Sequence, residues 1–241
     1  MNKKWLRYFC LYAFGCKEWK EIDDKILDFI EHLNEHNILE IESAVKRTSA
    51  LCCIDLIAKS NGFDSIDFLD KGIGEAYWLG DGKLLKPVTR EDTNAIIQKY
   101  KNRKYAHQLR LWKIKKLAGK RPSHNVAVLQ DLEGVKKISH LPAEVIDKTN
   151  DCLVLPGYVS SVDPHGYLGI NTFSLAIKEN TLFLQESQRQ IKTGFIPKPE
   201  VGMTVSYHLR IVRERISTET AAGLIRITKE SLKSIERAQI K

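Results

Sequence analysis

The chain has 241 residues, which is enough for two domains of ordinary size. Apolar residues make up 43% of the chain and charged residues 28%, so wholesale disorder is excluded, and no apolar run reaches the roughly 20 residues of a membrane span. Lys and Arg number 38 against 30 Asp and Glu, and the net charge of +8 favours an anionic partner such as nucleic acid.

The opening segment is rich in aromatic residues. Arg7 interrupts its apolar stretch and charged residues follow at Lys17 and Glu18, which is unlike a signal peptide. We expect a helix packed on the first domain, with a partner-binding helix as the alternative. We also expect no contact with a membrane.

A helical domain is predicted over residues 1–120. Apolar residues at helical spacing predict an amphipathic helix over about 20–36, and a second helix is predicted from a cap at Ser43 to a stop at Asn61-Gly62. Four glycines between Gly72 and Gly82 predict a loop or hairpin. Thr89, with Asp92 three residues later, predicts the start of a helix that runs to about Ala118.

The predicted helix that follows Thr89 carries most of the excess charge. Ten basic residues and no acidic residue occur from Lys99 to Arg121. Tyr105, Leu109 and Trp112 form an apolar stripe among these cations, a combination suited to phosphate contact and base stacking. The alternative is that this stripe is buried and the cations are a solvated rim.

The remaining chain is predicted as a connector over residues 121–151, a small β-barrel over 152–230 and a tail over 231–241. Short β-rich segments separated by turn residues predict five strands. The predicted strands are Leu153–Val162, Gly166–Asn171, Leu182–Gln185, Val205–Val212 and Leu224–Ile227. The fold class is therefore expected to be α+β, with a helical domain followed by a five-stranded OB-type barrel.

Four segments of the predicted barrel resemble a cold-shock domain in their order and spacing. They are Gly157-Tyr158-Val159 with Gly166–Ile170, then Leu182–Ser187, Val201–Tyr207 and Thr220–Ile225. The resemblance implies a barrel that binds single-stranded RNA or DNA on aromatic side chains, and it covers about a third of the chain.

This chain departs from the cold-shock pattern where that family stacks bases. Gly169 stands at an expected aromatic position, and Gln185 and Glu186 replace a His and an aromatic residue. Each missing ring forfeits about 1–3 kcal/mol of stacking. Two alternatives remain open: binding through another, basic face, or a barrel that serves as a structural or protein-binding module. The basic face would comprise Lys192, Lys198, His208, Arg210, Arg213 and Arg215.

No catalytic motif occurs in the sequence, so we expect a non-enzymatic protein. The five cysteines are odd in number and form no C-x-x-C pair, which predicts reduced thiols, a cytoplasmic location, and no metal or cofactor.

The leading hypothesis is binding of RNA or single-stranded DNA by the basic helix and the barrel. The alternative is a protein-interaction adaptor within a larger assembly, with the aromatic N-terminus as a contact for a protein partner. The predicted nucleic-acid-binding residues are Lys99, Lys101, Arg103, Lys104, Tyr105, Arg110, Trp112, Lys113, Lys115, Lys116, Lys120, Arg121, Tyr167, Phe183, His208 and Arg210.

Overall fold

The computed structural model describes residues 3–32, 35–48, 50–63, 71–80, 83–101, 114–133, 135 and 138–239. The chain divides into two compact units, Met1–Ser123 and His124–Lys241. Helices come first and strands follow, so the predicted α+β class is confirmed.

The described part of the first unit is helical. Short 3-10 turns occur at Lys17–Ile22 and Glu35–Asn37. The α-helices are α1 (Lys3–Ala13), α2 (Asp23–His32), α3 (Ile38–Arg47), α4 (Ala50–Ser60), α5 (Lys71–Leu79) and α6 (Arg90–Tyr100).

Two helix predictions in this unit are corrected. Ser43 does not cap a helix but lies within α3. That helix ends at Thr48, whose backbone is extended and whose N–H and hydroxyl both donate to Val45 O at 3.0 Å. Gly72 and Gly74 do not form a loop but lie within α5. Close packing explains Gly74, because a Cβ there would lie 2.7 Å from Tyr8 Cδ1.

The capping signal at Thr89 is confirmed. Thr89 Oγ1 accepts from the Asp92 N–H at 3.0 Å, and Asp92 Oδ2 accepts from the Thr89 N–H at 3.0 Å, which completes a capping box for α6. Two buried residues, Ile96 and Tyr100, place one face of α6 in the core. The predicted continuation of this helix over 102–113 lies outside the described residues.

Five strands form the centre of the second unit. They are β1 (Leu155–Asp163), β2 (Tyr167–Lys178), β3 (Thr181–Lys192), β4 (Thr204–His208) and β5 (Ile211–Arg215). Their hydrogen-bonded order closes on itself as β1-β2-β3-β5-β4. The neighbours are antiparallel except for β3 and β5, which are parallel where Lys192 meets Ile211.

The fourth and fifth predicted strands are corrected. Val205–Val212 is not one strand, since Leu209 and Arg210 take φ of 54° and 59° and form the turn between β4 and β5. Leu224–Ile227 is not a strand and belongs to the helix α9 (Thr218–Gln239), which also includes most of the predicted tail. The Ser217 hydroxyl accepts from the Thr220 N–H at 3.0 Å and caps this helix.

Helical segments contribute to the apolar core of the second unit. The segment predicted as a connector contains α7 (His124–Leu129), two 3-10 turns (Gln130–Leu132 and Ile138–His140) and α8 (Ala143–Cys152). Leu129, Leu132 and Ile138 join one apolar core with the inward residues of the strands and with Leu232 and Ile235 of α9. This segment is therefore part of the second unit.

Candidate functional site

The basic window falls only partly within the described residues. Lys99 and Lys101 lie at the end of α6, and Lys115 and Lys116 are exposed after the gap. Lys120 and Arg121 follow and are half-buried. The predicted residues Arg103, Lys104, Tyr105, Arg110, Trp112 and Lys113 lie outside the described part of the chain.

Lys99 is engaged by an acid that is distant in sequence. Its Nζ lies 2.8 Å from Asp55 Oδ2, and Asp55 is 3% exposed in α4. The Tyr100 hydroxyl donates to the same carboxylate. A buried carboxylate requires such partners, so this ion pair links α4 and α6 within the unit. No acidic residue lies near Lys99 in the sequence, so nothing in the sequence pointed to this ion pair.

The strands β1, β2 and β3 present a continuous outward face in the second unit. Tyr158 and Tyr167 are 51% and 38% exposed, while their chain neighbours Val159 and Leu168 are fully buried. This two-residue alternation is typical of a sheet with one buried face. We name this surface the tyrosine face. Its members are Tyr158, Ser161, Tyr167, Gly169, Asn171, Gln188, Gln190 and Lys192.

The strand register arranges the tyrosine face in three rows. The first row joins Tyr158, Asn171 and Gln188; the second joins Ser161, Gly169 and Gln190; and the third joins Tyr167 to Lys192. Successive rows are roughly 7 Å apart because they are two residues apart along β2 and β3, while on β1 a bulge between Val159 and Ser161 adds one residue. The rows that carry Tyr158 and Tyr167 are therefore roughly 13–14 Å apart, with a row of small and polar residues between them.

Basic residues border the end of this face that carries Tyr167. Lys192 is exposed opposite Tyr167, and its N–H donates to Arg210 O at 2.9 Å. Arg210 Nε donates to Asp151 Oδ1 at 2.8 Å, and this hydrogen bond raises the pKa of Arg210. The Thr193 N–H donates to Gly166 O at 2.9 Å, which brings the β1–β2 loop to the same end.

Two of the predicted barrel residues do not belong to this surface. His208 is 1% exposed and its ring lies edge-on to that of His124, with centroids 5.1 Å apart. Phe183 is half-buried, and the β2–β3 register places it on the opposite face of β3 from Lys192. Tyr167 and Phe183 therefore do not form one stacking surface. Strand membership alone does not show which residues share a face, because that depends on the register.

A depression is lined by Gly169 and its neighbours on β1, β2 and β3, and we name it the Gly169 trough. Its volume is about 580 Å³. Its lining contains Gly169 and the apolar residues Val162, Pro164 and Ile170 as well as polar and charged residues. The residues that line it include Ser160, Ser161, Asp163, Gln188, Arg189 and Gln190.

The chain matches a family of unknown function, DUF6390, over residues 29–241. It belongs to the DUF6390 family. No curated protein and no solved structure matches it. The family match includes all the strands and omits the segment that contains α1.

The aromatic N-terminus of this DUF6390 chain is packed inside its unit. Trp5, Phe9 and Tyr12 are fully buried, and the Tyr12 ring stacks on that of Trp78 with centroids 5.3 Å apart. The rings proposed as contacts for a protein partner are therefore core residues of the first unit.

Sequence reasoning missed several residues of the tyrosine face. Tyr158, Gln188 and Gln190 were outside the predicted set, although the alternation around Tyr158 was a usable signal. Arg213, a candidate for a basic face, is 1% exposed and its guanidinium lies 5.9 Å from the Phe195 ring centroid. Within the described ranges, no group of three His, Cys, Asp or Glu residues could hold a metal ion, and no helix could cross a membrane.

Proposed function

We propose that this chain binds single-stranded nucleic acid on the tyrosine face of its second unit. The observation that carries the proposal is the pair of exposed rings, Tyr158 and Tyr167, on one face, with Lys192 and Arg210 at its border. Bases stack on exposed aromatic rings, and nearby cations contact the phosphates.

The strand arrangement supports the same proposal. A five-stranded barrel of OB type binds oligonucleotides on the face of its second and third strands, between the loops that join strands 1–2 and 4–5. Here Tyr167 begins β2 directly after the β1–β2 loop, and Arg210 lies in the β4–β5 turn. The resemblance to cold-shock domains favours the same face.

The charge distribution supports different contributions to binding from the two units. Residues 124–241 contain 15 Lys and Arg against 13 Asp and Glu, so the second unit is nearly neutral. Its binding therefore depends on stacking and hydrogen bonding with a small electrostatic contribution. The excess of cations in residues 99–121 supplies additional phosphate contacts.

The test is binding of fluorescently labelled single-stranded RNA, single-stranded DNA and duplex DNA by the full chain across a salt series. Replacing Tyr158 or Tyr167 by Ala is expected to weaken single-strand binding by about 5- to 150-fold, which corresponds to about 1–3 kcal/mol per stacked base. The matched controls Tyr158→Phe and Tyr167→Phe retain the rings and are expected to retain most of the affinity.

The salt dependence gives a second, independent readout. Lys192→Ala removes one phosphate contact, so the slope of log K against log salt should become shallower by about 0.7. Lys233→Ala, an exposed change on α9, should leave that slope unchanged. The proposal fails if the chain binds no single strand, or if the alanine variants at both tyrosines bind as tightly as the original chain. An absence of any binding would favour the adaptor hypothesis.

A further inference from the structure

Two arginines share one carboxylate at the end of α8. Arg210 Nε donates to Asp151 Oδ1 at 2.8 Å, and Arg189 Nη1 lies 3.6 Å from the same oxygen. The two arginines come from the β4–β5 turn and from β3. The Leu209 N–H donates to Asp151 O at 2.8 Å, which joins the β4–β5 turn to the end of α8. We name Arg189 and Arg210 the arginine pair.

Most N–H donors of the arginine pair are unused within the part of the chain that the structure describes. Arg210 Nε donates a hydrogen bond there, whereas 3.6 Å is too long for a hydrogen bond from Arg189. Both contacts use the same oxygen of Asp151, so neither guanidinium forms the bidentate pair that its planar fork allows. The two forks are therefore available to another oxyanion.

Arg189 is the more buried member of the pair. Its side chain is 20% exposed, and its cross-strand neighbour Ile170 lies in the core. A guanidinium withdrawn from water loses hydrogen bonds to solvent, and one carboxylate oxygen at 3.6 Å replaces few of them. The Arg210 side chain is 62% exposed, so the pair can be reached from solvent. An anion that enters beside Arg210 supplies the missing acceptors.

The local charge is compatible with an anionic ligand. Asp151 contacts both guanidinium groups, and it raises the pKa of Arg210 more than the exposed Asp147 does. The N–H of the exposed Lys192 donates to Arg210 O at 2.9 Å, which places a third cation at this edge of the second unit. Three cations against two carboxylates leave an excess of one positive charge.

We propose that the arginine pair binds a phosphate group, with Asp151 holding the two side chains together. A guanidinium fork binds phosphate through two parallel N–H···O hydrogen bonds, and the several oxygens of a phosphate can engage both forks. Inorganic phosphate, the terminal phosphate of a nucleotide and the diester linkage of a strand all offer this chemistry. The inference adds Arg189 to the residues of the proposed function and does not depend on stacking at the tyrosine face.

The experiment measures binding of three ligands to the full chain by calorimetry. They are inorganic phosphate, uridine monophosphate with uridine as the control that lacks phosphate, and a single-stranded oligonucleotide. Arg189→Gln and Arg210→Gln each remove one guanidinium and should weaken phosphate binding by roughly 10- to 150-fold, the range expected for charge-assisted hydrogen bonds. Arg226→Gln removes the same charge from an exposed position on α9 and should leave binding unchanged.

Arg210→Lys separates recognition by the guanidinium fork from attraction by charge. It keeps the positive charge and removes the fork, so it should weaken phosphate binding nearly as much as Arg210→Gln. Should Arg189→Gln unfold the second unit, the two variants at the exposed Arg210 decide the question. Binding by Arg210→Lys as tight as that of the original chain would show that charge alone attracts the ligand, and it would overturn the site.

The three ligands distinguish the sources of the phosphate. Loss of inorganic phosphate and uridine monophosphate binding in the variants of the pair identifies a free or terminal phosphate. Loss of strand binding alone, with a salt slope shallower by about 0.7 per arginine, identifies a diester linkage. Unchanged binding of all three ligands in the Arg210 variants, an equal loss in Arg226→Gln, or no binding by the original chain overturns the inference. The tyrosine variants test the proposed function separately, because they retain both arginines.

Discussion

Asn125 is the clearest point at which one side chain holds the second unit together. It is fully buried in α7, its Nδ2 donates to Val154 O at 2.7 Å and to Thr228 Oγ1 at 2.9 Å, and its Oδ1 accepts from the Val154 N–H at 2.9 Å. One amide therefore joins α7, the segment before β1 and α9. Asn125→Ala removes all three hydrogen bonds.

The expected loss of unfolding free energy is about 3 kcal/mol. Each buried hydrogen bond contributes roughly 1 kcal/mol net, and the buried peptide groups of Val154 are left without a side-chain partner. Thr228 loses less, because its hydroxyl also donates to Leu224 O at 2.8 Å. With a urea dependence of about 2 kcal/mol per molar, the midpoint should fall by roughly 1.5 M.

The measurement is urea unfolding, with hydrogen exchange in peptides that contain Val154 used to detect the unfolded fraction. Tryptophan fluorescence does not follow this unit, since all four tryptophans precede residue 124 in the sequence. The control is Asn171→Ala, an exposed asparagine on β2, which should change stability by less than about 0.5 kcal/mol. A similarly small effect for Asn125→Ala would refute the reasoning.

Three further predictions concern single residues. Lys99→Ala should destabilise the first unit by about 1–3 kcal/mol, because it removes the cation that pairs with buried Asp55. This value is below that of a fully buried pair because the Lys99 side chain is 39% exposed. Urea melts followed by tryptophan fluorescence measure the loss, and an unchanged stability would contradict the role of the pair. Gly194→Ala should cost about 2 kcal/mol or more, since φ is 63° and a Cβ would lie 2.1 Å from Val212 O; an unchanged thermal midpoint would contradict this. Partial desolvation of the exposed Cys152 thiol, followed by nearby carboxylates, raises its pKa. Its thiolate fraction at pH 8 is therefore reduced, and mass spectrometry should find slower alkylation than for glutathione, with the half-maximal rate at higher pH; alkylation as fast as that of glutathione would contradict this.

Local signals in the sequence were sufficient where the structure depends on neighbouring residues. The capping box at Thr89 and the stop at Asn61-Gly62 were predicted correctly, because each acts within a few residues of the backbone it satisfies. β-rich segments between turn residues located β1 and parts of β2 and β3 for the same reason, but β2 and β3 are each 12 residues long and extend well beyond the predicted Gly166–Asn171 and Leu182–Gln185.

Apolar segments of four residues were ambiguous. Leu224–Ile227 fits a strand by composition, yet it lies in α9 with Leu224, Ile227, Leu232 and Ile235 buried at helical spacing. The sequence did not predict the β4–β5 turn, because Leu209 and Arg210 adopt positive φ and neither is a glycine or an asparagine. Tertiary packing decided both.

The sequence alone determined that a helical region precedes a strand-rich region, because amphipathic periodicity and turn residues depend only on residues close together in the chain. Only the tertiary structure decided which groups meet. Asp55 neutralises Lys99 from 44 residues away in sequence, and the β2–β3 register puts Tyr167 and Phe183 on opposite faces. Charge neutralisation and surface composition depend on contacts between distant segments, and a residue's position in the sequence does not specify those contacts.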